Sequence, residues 1–281
     1  MNAYGRIRRV YVRAPDVGAL RDGWKTYGWH AEPDVAATEA EHAAFVDLLR
    51  AEIEDVIVGT AQVPGDPDAV YAYDPTLVTD VGVIPLRMGK EGRRDEPAIV
   101  ADELLAAGCT VLPALEPPAT AEGGDMFFLD NRTLLVGVGY RTNEAAVEQL
   151  RTMLAGHDVE VVAFDLPHHH GPAECLHLMS FISMLDADLT VAYLPMVPVR
   201  LVQLLEARGV RIVEVPDEEF ASMGPNVLAL APRVALALAG NPVTASQMRD
   251  AGVDVTTYSG HHISMNGDGG PTCLTRPLER A

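Results

Sequence analysis

A cysteine near the end of the chain lies in a segment that could carry chemistry. Cys273 follows Asp268-Gly-Gly-Pro-Thr, and the segment Thr272–Thr275 predicts a short strand. The two glycines relieve the backbone of Cβ sterics, so the thiol could closely approach a substrate. Most such cysteines are small buried hydrophobic residues, because a nucleophilic thiol also needs a proton carrier and groups that hold the substrate.

Carboxylates and a histidine occur at corresponding places earlier in the chain. Asp68 and Asp74 bracket a predicted strand, where an even separation puts both side chains on one face. Glu122-Gly-Gly-Asp125 places two more carboxylates beside glycines, and His177 lies in an apolar run. Singly, each has an ordinary explanation, such as a turn cap or a core histidine. Together with the thiol they suit attack on a planar, cationic carbon.

A repeat of about 50 residues organises these candidates. At four places a segment with helical character ends at a glycine, and a β-branched run follows it. Each glycine therefore occupies the position of a helix C-cap. The predicted helices span residues 98–107, 144–155, 199–208 and 244–251, and the glycines are Gly108, Gly156, Gly209 and Gly252.

Predicted strands complete each repeat. Strand pairs cover residues 70–78, 126–138, 176–193 and 227–238, and the N-terminal segment adds strand 7–12, helix 38–53 and strand 56–58. Five strand-strand-helix-strand units can close into a ring, so we expect an α/β propeller with pseudo-fivefold symmetry. No linker divides the chain, which predicts one domain over residues 1–281. The alternative, an open doubly wound sheet, predicts single strands between helices.

The composition argues against several classes of protein. A formal charge of −19 opposes binding to nucleic acid, which needs clusters of lysine and arginine. No apolar run approaches a membrane span, and the N-terminal segment lacks the apolar stretch of a secretory signal. Three cysteines without a paired spacing indicate reduced thiols and a cytoplasmic protein.

Three further features are predicted to be structural. His168–His170 and His261-His262 suggest zinc, but consecutive histidines cannot all face one ion from a regular strand or helix, so we expect neither a metal nor a cofactor. Cys109 and Cys175 are predicted to lie in the core. The segment Trp24–Trp29 is flanked by glycine and proline and is predicted to be a mobile loop.

The spaced motifs resemble those of a known family. From about residue 68 to the C-terminus they follow the pattern of the dimethylarginine dimethylaminohydrolases, in this order: Asp68–Asp74, Arg87–Arg94, Glu122–Asp125, Arg141–Asn143, His177–Ser180, Asn226 and Asp268–Cys273. These enzymes belong to the guanidine-modifying, amidinotransferase-like superfamily with the five-bladed pentein fold. The resemblance implies that fold and a cysteine-dependent hydrolase of guanidino amino acids. N-methylated arginine is the first candidate substrate, with citrulline and an alkylamine as products.

The resemblance also implies catalytic roles. Cys273 would attack the guanidinium carbon and form a covalent thiouronium intermediate. His177 would protonate the leaving amine and then activate water. Glu122 and Asp74 would hold the guanidinium nitrogens, and Asp68 would lie in the same wall of the substrate pocket.

Further residues are implied to bind the rest of the substrate. Arg94, or its neighbour Arg93, and Arg141 would bind the carboxylate of the amino acid, which a guanidinium fork matches better than a lysine does. In the family, the region that corresponds to Trp24–Trp29 covers the active site. The remaining predicted substrate-binding residues are Tyr73, Asp125 and Asp268.

Two positions depart from the family's pattern. Tyr73 stands where a glutamate is usual, and Met179 stands where a lysine is usual. Arginine deiminases and amidinotransferases have an aspartate at the position of Met179, which disfavours these alternatives on the same fold. A non-catalytic pentein that binds a partner is another alternative, but it predicts loss of the cysteine and histidine. The expected partner is a small guanidino molecule. A homodimer is compatible with the sequence.

Overall fold

The computed structural model describes residues 1–174 and 176–281, and its strands form five small sheets. Along the chain, the first unit contains β1 (Ile7–Arg13), α1 (Val17–Tyr27), α2 (Val35–Glu52) and β2 (Asp55–Gly59). The second contains β3 (Thr76–Thr79), β4 (Gly82–Pro85) and α3 (Glu96–Ala106). The third contains β5 (Met126–Asp130), β6 (Thr133–Val138), α4 (Glu144–Leu154) and β7 (Glu160–Asp165).

The last two units repeat the order of the third. The fourth contains β8 (Ile182–Asp186), β9 (Leu189–Ala192), α5 (Val199–Ala207) and β10 (Arg211–Glu214), and is followed by the short α6 (Asp217–Phe220). The fifth contains β11 (Val227–Ala231), β12 (Val234–Leu238), α7 (Pro242–Asp250) and β13 (Asp254–Tyr258), and β14 (Arg276–Arg280) ends the chain. In these units the first two strands are antiparallel and the third is parallel to the second. The predicted α/β propeller of five units is confirmed.

The first sheet takes strands from both ends of the chain. β14 pairs with β1 in the antiparallel sense, with Tyr11 opposite Arg276, and β1 pairs with β2 in the parallel sense. The sequence prediction had no strand in this position, because the repeat does not show that the last strand completes the first unit. The pairing also fixes the segment just before β14, which contains Cys273.

The second unit departs from the pattern. Within the described residues, its third strand is reduced to a single bridge between Val83 and Val111. Cys109, predicted to be a core residue, is only partly buried, and its sulfur lies 4.0 Å from Nη1 of Arg9. The corresponding prediction for Cys175 lies outside the described residues.

Three segments predicted as strands are connections instead. Asp68 lies in a short 3-10 helix over Pro67–Val70, His177 directly precedes another over Leu178–Ser180, and Cys273 lies in a turn. In that turn the N–H of Thr275 donates to the carbonyl of Thr272 at 3.1 Å. The apolar composition reflects burial under neighbouring units, which local patterns do not distinguish from burial in a strand.

The aromatic segment predicted to be a mobile loop is largely helical. Trp24 lies within α1, which begins at the N-cap Asp16 and ends at Gly28, a residue with a left-handed φ of 89°. The Asp16 carboxylate accepts hydrogen bonds from two backbone N–H groups of the first turn, which explains why a helix forms here. Trp29, just beyond the helix, is buried.

Helices pack against strands of the sheets. In α2 the buried residues Phe45 and Leu49 belong to the same apolar cluster as Val10 of β1 and Tyr258 of β13, and the rings of Phe45 and Tyr258 lie 4.9 Å apart. Among the helices of residues 1–174 and 176–281, none has the length and apolar character that crossing a membrane requires.

Three of the four predicted C-cap glycines have the expected backbone. Gly108, Gly209 and Gly252 have φ values of 86°, 70° and 87°, in the region that favours glycine. Gly156 differs, because α4 continues into a 3-10 turn over Ala155–His157 and Asp158 adopts the left-handed conformation instead.

This difference predicts opposite effects of one substitution. Gly209→Ala should lower the free energy of unfolding by about 1 kcal/mol, because alanine is strained at a positive φ. Gly156→Ala should leave stability unchanged or slightly raise it, because alanine restricts the unfolded chain. No atom lies within 4 Å of a Cβ built at either position, so neither substitution causes a steric clash and the two stability changes reflect backbone conformation alone. Urea denaturation measures both, and equal losses would contradict the assignment.

Candidate active site

The candidate residues share one structural position. Each lies in the connection just before the first strand of its unit, where no sheet hydrogen bonds occupy the backbone. Hydrogen bonds join neighbouring connections: for example, the N–H of Tyr73 donates to the carbonyl of Cys273 at 3.1 Å, and the N–H of Gly124 donates to Oδ1 of Asp74 at 2.9 Å. The residues placed in this way are Asp74 before β3, Glu122 and Asp125 before β5, His177 before β8, Asn226 before β11 and Cys273 before β14.

The sulfur of Cys273 is held by a side-chain amide. Nδ2 of Asn226 donates to Sγ at 3.2 Å, while Oδ1 of Asn226 accepts the N–H of Thr272 at 3.1 Å. An N–H directed at sulfur stabilises negative charge there, which suits a nucleophilic thiolate. The turn also requires Gly269, because a Cβ there would lie 2.0 Å from the ring of Tyr71. Asn226 belongs to the family motif, but its contact with the sulfur was not predicted.

His177 lies buried between two carboxylates. Its Nε2 is 2.8 Å from Oε2 of Glu122, and its Nδ1 is 3.9 Å from Oδ1 of Asp74. Burial alone would raise the pKa of Glu122, but the hydrogen bond and charge of His177, together with the charge of Arg141, hold that pKa well below its ordinary value. An ionised carboxylate only accepts hydrogen bonds, so Nε2 carries the proton. A proton that His177 exchanges with a substrate would therefore be carried by the other ring nitrogen, Nδ1.

Glu122 has two further donors. Nη1 of Arg141 lies 3.2 Å from Oε2, and the N–H of Lys90 donates to Oε1 at 2.8 Å. Glu122 itself is fully buried. A guanidinium offers five N–H donors, so one guanidinium can contact more than one anion.

Asp68 lies in a polar cluster that the sequence only partly predicted. Oδ1 accepts the indole N–H of Trp29 at 2.9 Å, and Oδ2 lies 2.6 Å from Nζ of Lys90. Lys90 also donates to the carbonyl of Tyr27 at 2.8 Å. Lys90 therefore links the C-terminal end of α1 to Asp68, one of the residues predicted to bind the guanidinium.

The structure separates the adjacent arginines Arg93 and Arg94. Arg93 is buried: Nη1 donates to Oδ2 of Asp74 at 2.7 Å, and Nη2 donates to Oε2 of Glu96 at 3.0 Å. Burial raises the pKa of Glu96 well above its ordinary value, and the charge of Arg93 opposes that rise. Arg94 is exposed, with Nη1 3.7 Å from Oε1 of Glu91. Arg93 thus orients Asp74, and Arg94 stays the predicted carboxylate-binding residue.

Two further aspartates predicted to bind the substrate differ in their surroundings. Asp125 has no exposed surface, and its oxygens accept from Oγ1 of Thr142 at 2.7 Å and from the N–H of Leu178 at 3.1 Å. Burial raises its pKa to about 6. These bonds orient the 3-10 helix that follows His177, so Asp125 supports the histidine instead of facing a substrate. Asp268 is exposed and pairs with His30 at 2.9 Å.

Tyr73 and Met179 form an apolar part of the site's surroundings. Both are buried in one hydrophobic cluster. The guanidinium carbon of Arg276 lies 3.8 Å from the centre of the Tyr73 ring, so a cation already covers one face of this ring. The predicted contact of Tyr73 with a substrate cation is therefore limited to its other surfaces.

The buried acids and histidine could also coordinate a metal ion. Ligand atoms of Asp74, Glu122 and His177 lie within 4.8 Å of one another. However, Arg93 and Arg141 are paired with these same carboxylates. A metal ion would compete with two guanidinium groups, so the arrangement favours an organic cation that donates hydrogen bonds.

Comparison with known proteins assigns the chain to a family. A sequence profile described as arginine deiminase matches residues 59–203 and 195–280, so the chain belongs to the arginine deiminase family. It is 29% identical over 247 residues to the N(G),N(G)-dimethylarginine dimethylaminohydrolase of Streptomyces coelicolor, covering 87% of each protein. It is 30% identical over 190 residues to the arginine deiminase of Mycobacterium avium, covering 58% of this chain and 47% of that protein.

A solved structure shares the fold. The dimethylarginine dimethylaminohydrolase of Pseudomonas aeruginosa, a mutant complexed with citrulline, is similar to this chain with a TM-score of 0.80. The sequence identity is 24%, and the match covers 96% of this chain and 98% of that chain. The predicted resemblance to the dimethylarginine dimethylaminohydrolases and the predicted pentein fold are both confirmed.

The two arginines give a direct test of the site's construction. Arg93→Met should lower the free energy of unfolding by about 3–5 kcal/mol, because Asp74 would be buried without its cation and Glu96 would lose its hydrogen bonds from Arg93. Arg94→Met is the matched control and should change stability by less than about 0.5 kcal/mol. Urea denaturation at neutral pH measures both. A larger loss in Arg94→Met would reverse the assignment of the buried arginine.

Proposed function

We propose that this protein hydrolyses N-methylated arginine to citrulline and an alkylamine. The observation that carries the proposal is the placement of Cys273, the His177–Glu122 pair and Asp74 in equivalent connections of neighbouring units, linked by hydrogen bonds. The relatives named as dimethylarginine dimethylaminohydrolases support the substrate class. The protein is accordingly a hydrolase of C–N bonds in linear amidines.

In the proposed reaction the Cys273 thiolate attacks the guanidinium carbon. His177 donates its proton to the methylated nitrogen, the bond between carbon and that nitrogen breaks, and a thiouronium forms on the sulfur. His177 then accepts a proton from water as the water oxygen attacks the same carbon. The carbon–sulfur bond then breaks, the remaining hydroxyl proton passes to solvent, citrulline leaves and the thiolate is restored. Glu122 holds the imidazole in position and stabilises its protonated form.

The carboxylates Asp68 and Asp74 would hold the substrate's guanidinium. Each already accepts from a protein cation, Lys90 or Arg93, but a carboxylate has about four lone-pair sites and can accept more donors. Arg141 and Arg94 would bind the carboxylate of the amino acid. The chain's formal charge of −19 would favour the approach of a cationic substrate.

Met179 supports the preference for a methylated substrate. This position has no carboxylate, and Met179 lies in an apolar cluster with Tyr73. An unsubstituted nitrogen facing such a surface would lose hydrogen bonds that it makes in water, whereas a methylated nitrogen loses fewer.

Arginine deiminase is the second candidate, because the matching family profile carries that description. It would use the same residues and release ammonia from arginine. An amidinotransferase on the same fold would pass the amidino group to an amine instead of water. A non-catalytic binding protein is disfavoured because the hydrogen-bonded His177–Glu122 pair and Cys273 are all present.

Three broader properties are also proposals. The pairing of β14 with β1 supports one domain over residues 1–281. The cysteine content supports a cytoplasmic location. The homodimer stays a prediction.

A substrate panel tests the proposed activity. We expect kcat/KM for monomethyl- or dimethylarginine to exceed that for arginine by about tenfold or more, because of the apolar surface at Met179. Mass spectrometry should detect citrulline and the free methylamine, and Cys273→Ser protein serves as the blank. Faster hydrolysis of arginine with release of ammonia would establish the deiminase instead. Amidination of an added amine would establish a transferase.

The nucleophile is tested by a matched pair of cysteine variants. Cys273→Ser should fold but lose more than about 1,000-fold in kcat, because a serine hydroxyl is a much weaker nucleophile here. Cys109→Ser should retain turnover. Rapid acid quenching of the wild type should trap an added mass on the peptide that contains Cys273. An adduct on another cysteine would contradict the assignment.

A further inference from the structure

The loop between β7 and His177 brings together side chains that the proposed reaction does not use. His169 has a left-handed φ of 46°, which is rare for a residue other than glycine. This backbone turn places the rings of His169 and His170 4.0 Å apart, although consecutive side chains diverge in regular structure. The third histidine, His168, is engaged elsewhere, because its Nδ1 lies 2.7 Å from the hydroxyl of Tyr140.

A carboxylate completes the group. Two backbone hydrogen bonds turn the loop back on itself: the N–H of Gly171 donates to the carbonyl of His168 at 2.8 Å, and the N–H of Glu174 donates to the carbonyl of Gly171 at 3.3 Å. As a result, Oε2 of Glu174 lies 3.7 Å from Nε2 of His169. One ligand atom from each of His169, His170 and Glu174 lies within 4.8 Å of the others.

We propose that His169, His170 and Glu174 form a binding site for a divalent transition-metal ion, with zinc as the first candidate. Two imidazoles and one carboxylate are a common zinc ligand set that leaves a fourth position for water. Tetrahedral zinc with bonds of about 2.0–2.1 Å needs ligand atoms about 3.3 Å apart. The 3.7 Å separation of His169 and Glu174 is close to this value, and Glu174 is exposed enough to adjust.

The surroundings agree with a cation site. The net charge of −19 would raise the local concentration of cations. The loop leads directly into His177, so a bound ion would restrain the segment from which the general acid extends. This proposal does not depend on which guanidine is the substrate.

Zinc titration by isothermal calorimetry tests the site directly. Metal-depleted wild-type protein should bind zinc in this loop, and His170→Ala and Glu174→Gln should each weaken that binding by about tenfold or more, because each variant removes a ligand. His261→Ala is the matched control: it also lies in a pair of adjacent histidines, with ring centres 5.0 Å apart, and should leave binding unchanged. Zinc should raise the unfolding temperature of the wild type more than that of His170→Ala.

The alternative position for zinc is the buried cluster of Asp74, Glu122 and His177. His177→Ala should still bind zinc at the loop site. Adding His170→Ala to this variant should lower its zinc affinity, as it does in the wild type. Unchanged zinc affinity in both His170→Ala and Glu174→Gln would overturn the proposal, as would no measurable zinc binding by the wild type. An unchanged unfolding temperature of His170→Ala without zinc shows that a loss of binding is not a loss of the fold.

Discussion

The pairing of β14 with β1 is the constraint on which the candidate site depends. It joins the two ends of the chain in one sheet and fixes the turn that contains Cys273 just before β14. The carbonyl of Cys273 then accepts the N–H of Tyr73, whose neighbour Asp74 is bonded to the next unit through Gly124. A break in this sheet would therefore separate the thiol from the carboxylates, although their local segments would be unchanged.

Paired charges decide how the site can be built. Buried carboxylates without partners would cost several kcal/mol each, at least about 3. Asp74 is therefore matched by Arg93, Glu122 by Arg141 and His177, and Asp68 by Lys90. These cations compensate the buried charge of the acids and orient them while the substrate is absent. The same pairs explain why the site suits a substrate guanidinium. Its planar N–H donors match carboxylates in the geometry that Arg93 and Arg141 already use.

The repeat and its elements were predictable because they depend on local patterns. The helical segments, the glycines that follow them and the paired β-strand patterns predicted the order of elements in four units. The same patterns failed at Asp68, His177 and Cys273, which were assigned to strands. There the backbone is held by distant partners: the N–H of Leu178 by Asp125, and the carbonyl of Cys273 by Tyr73. No window of neighbouring residues contains that information.

The sequence by itself determined which reactive side chains the protein has and, through their spacing, the family and the fold. Only the tertiary structure decided how those side chains are used. It buried Arg93 against Asp74 and exposed Arg94, and it placed Asp125 beneath His177 instead of in the substrate wall. It also turned His169 and His170 towards Glu174. The physical reason is that burial and ion pairing depend on contacts between segments far apart in the chain, whereas the sequence order specifies only neighbours.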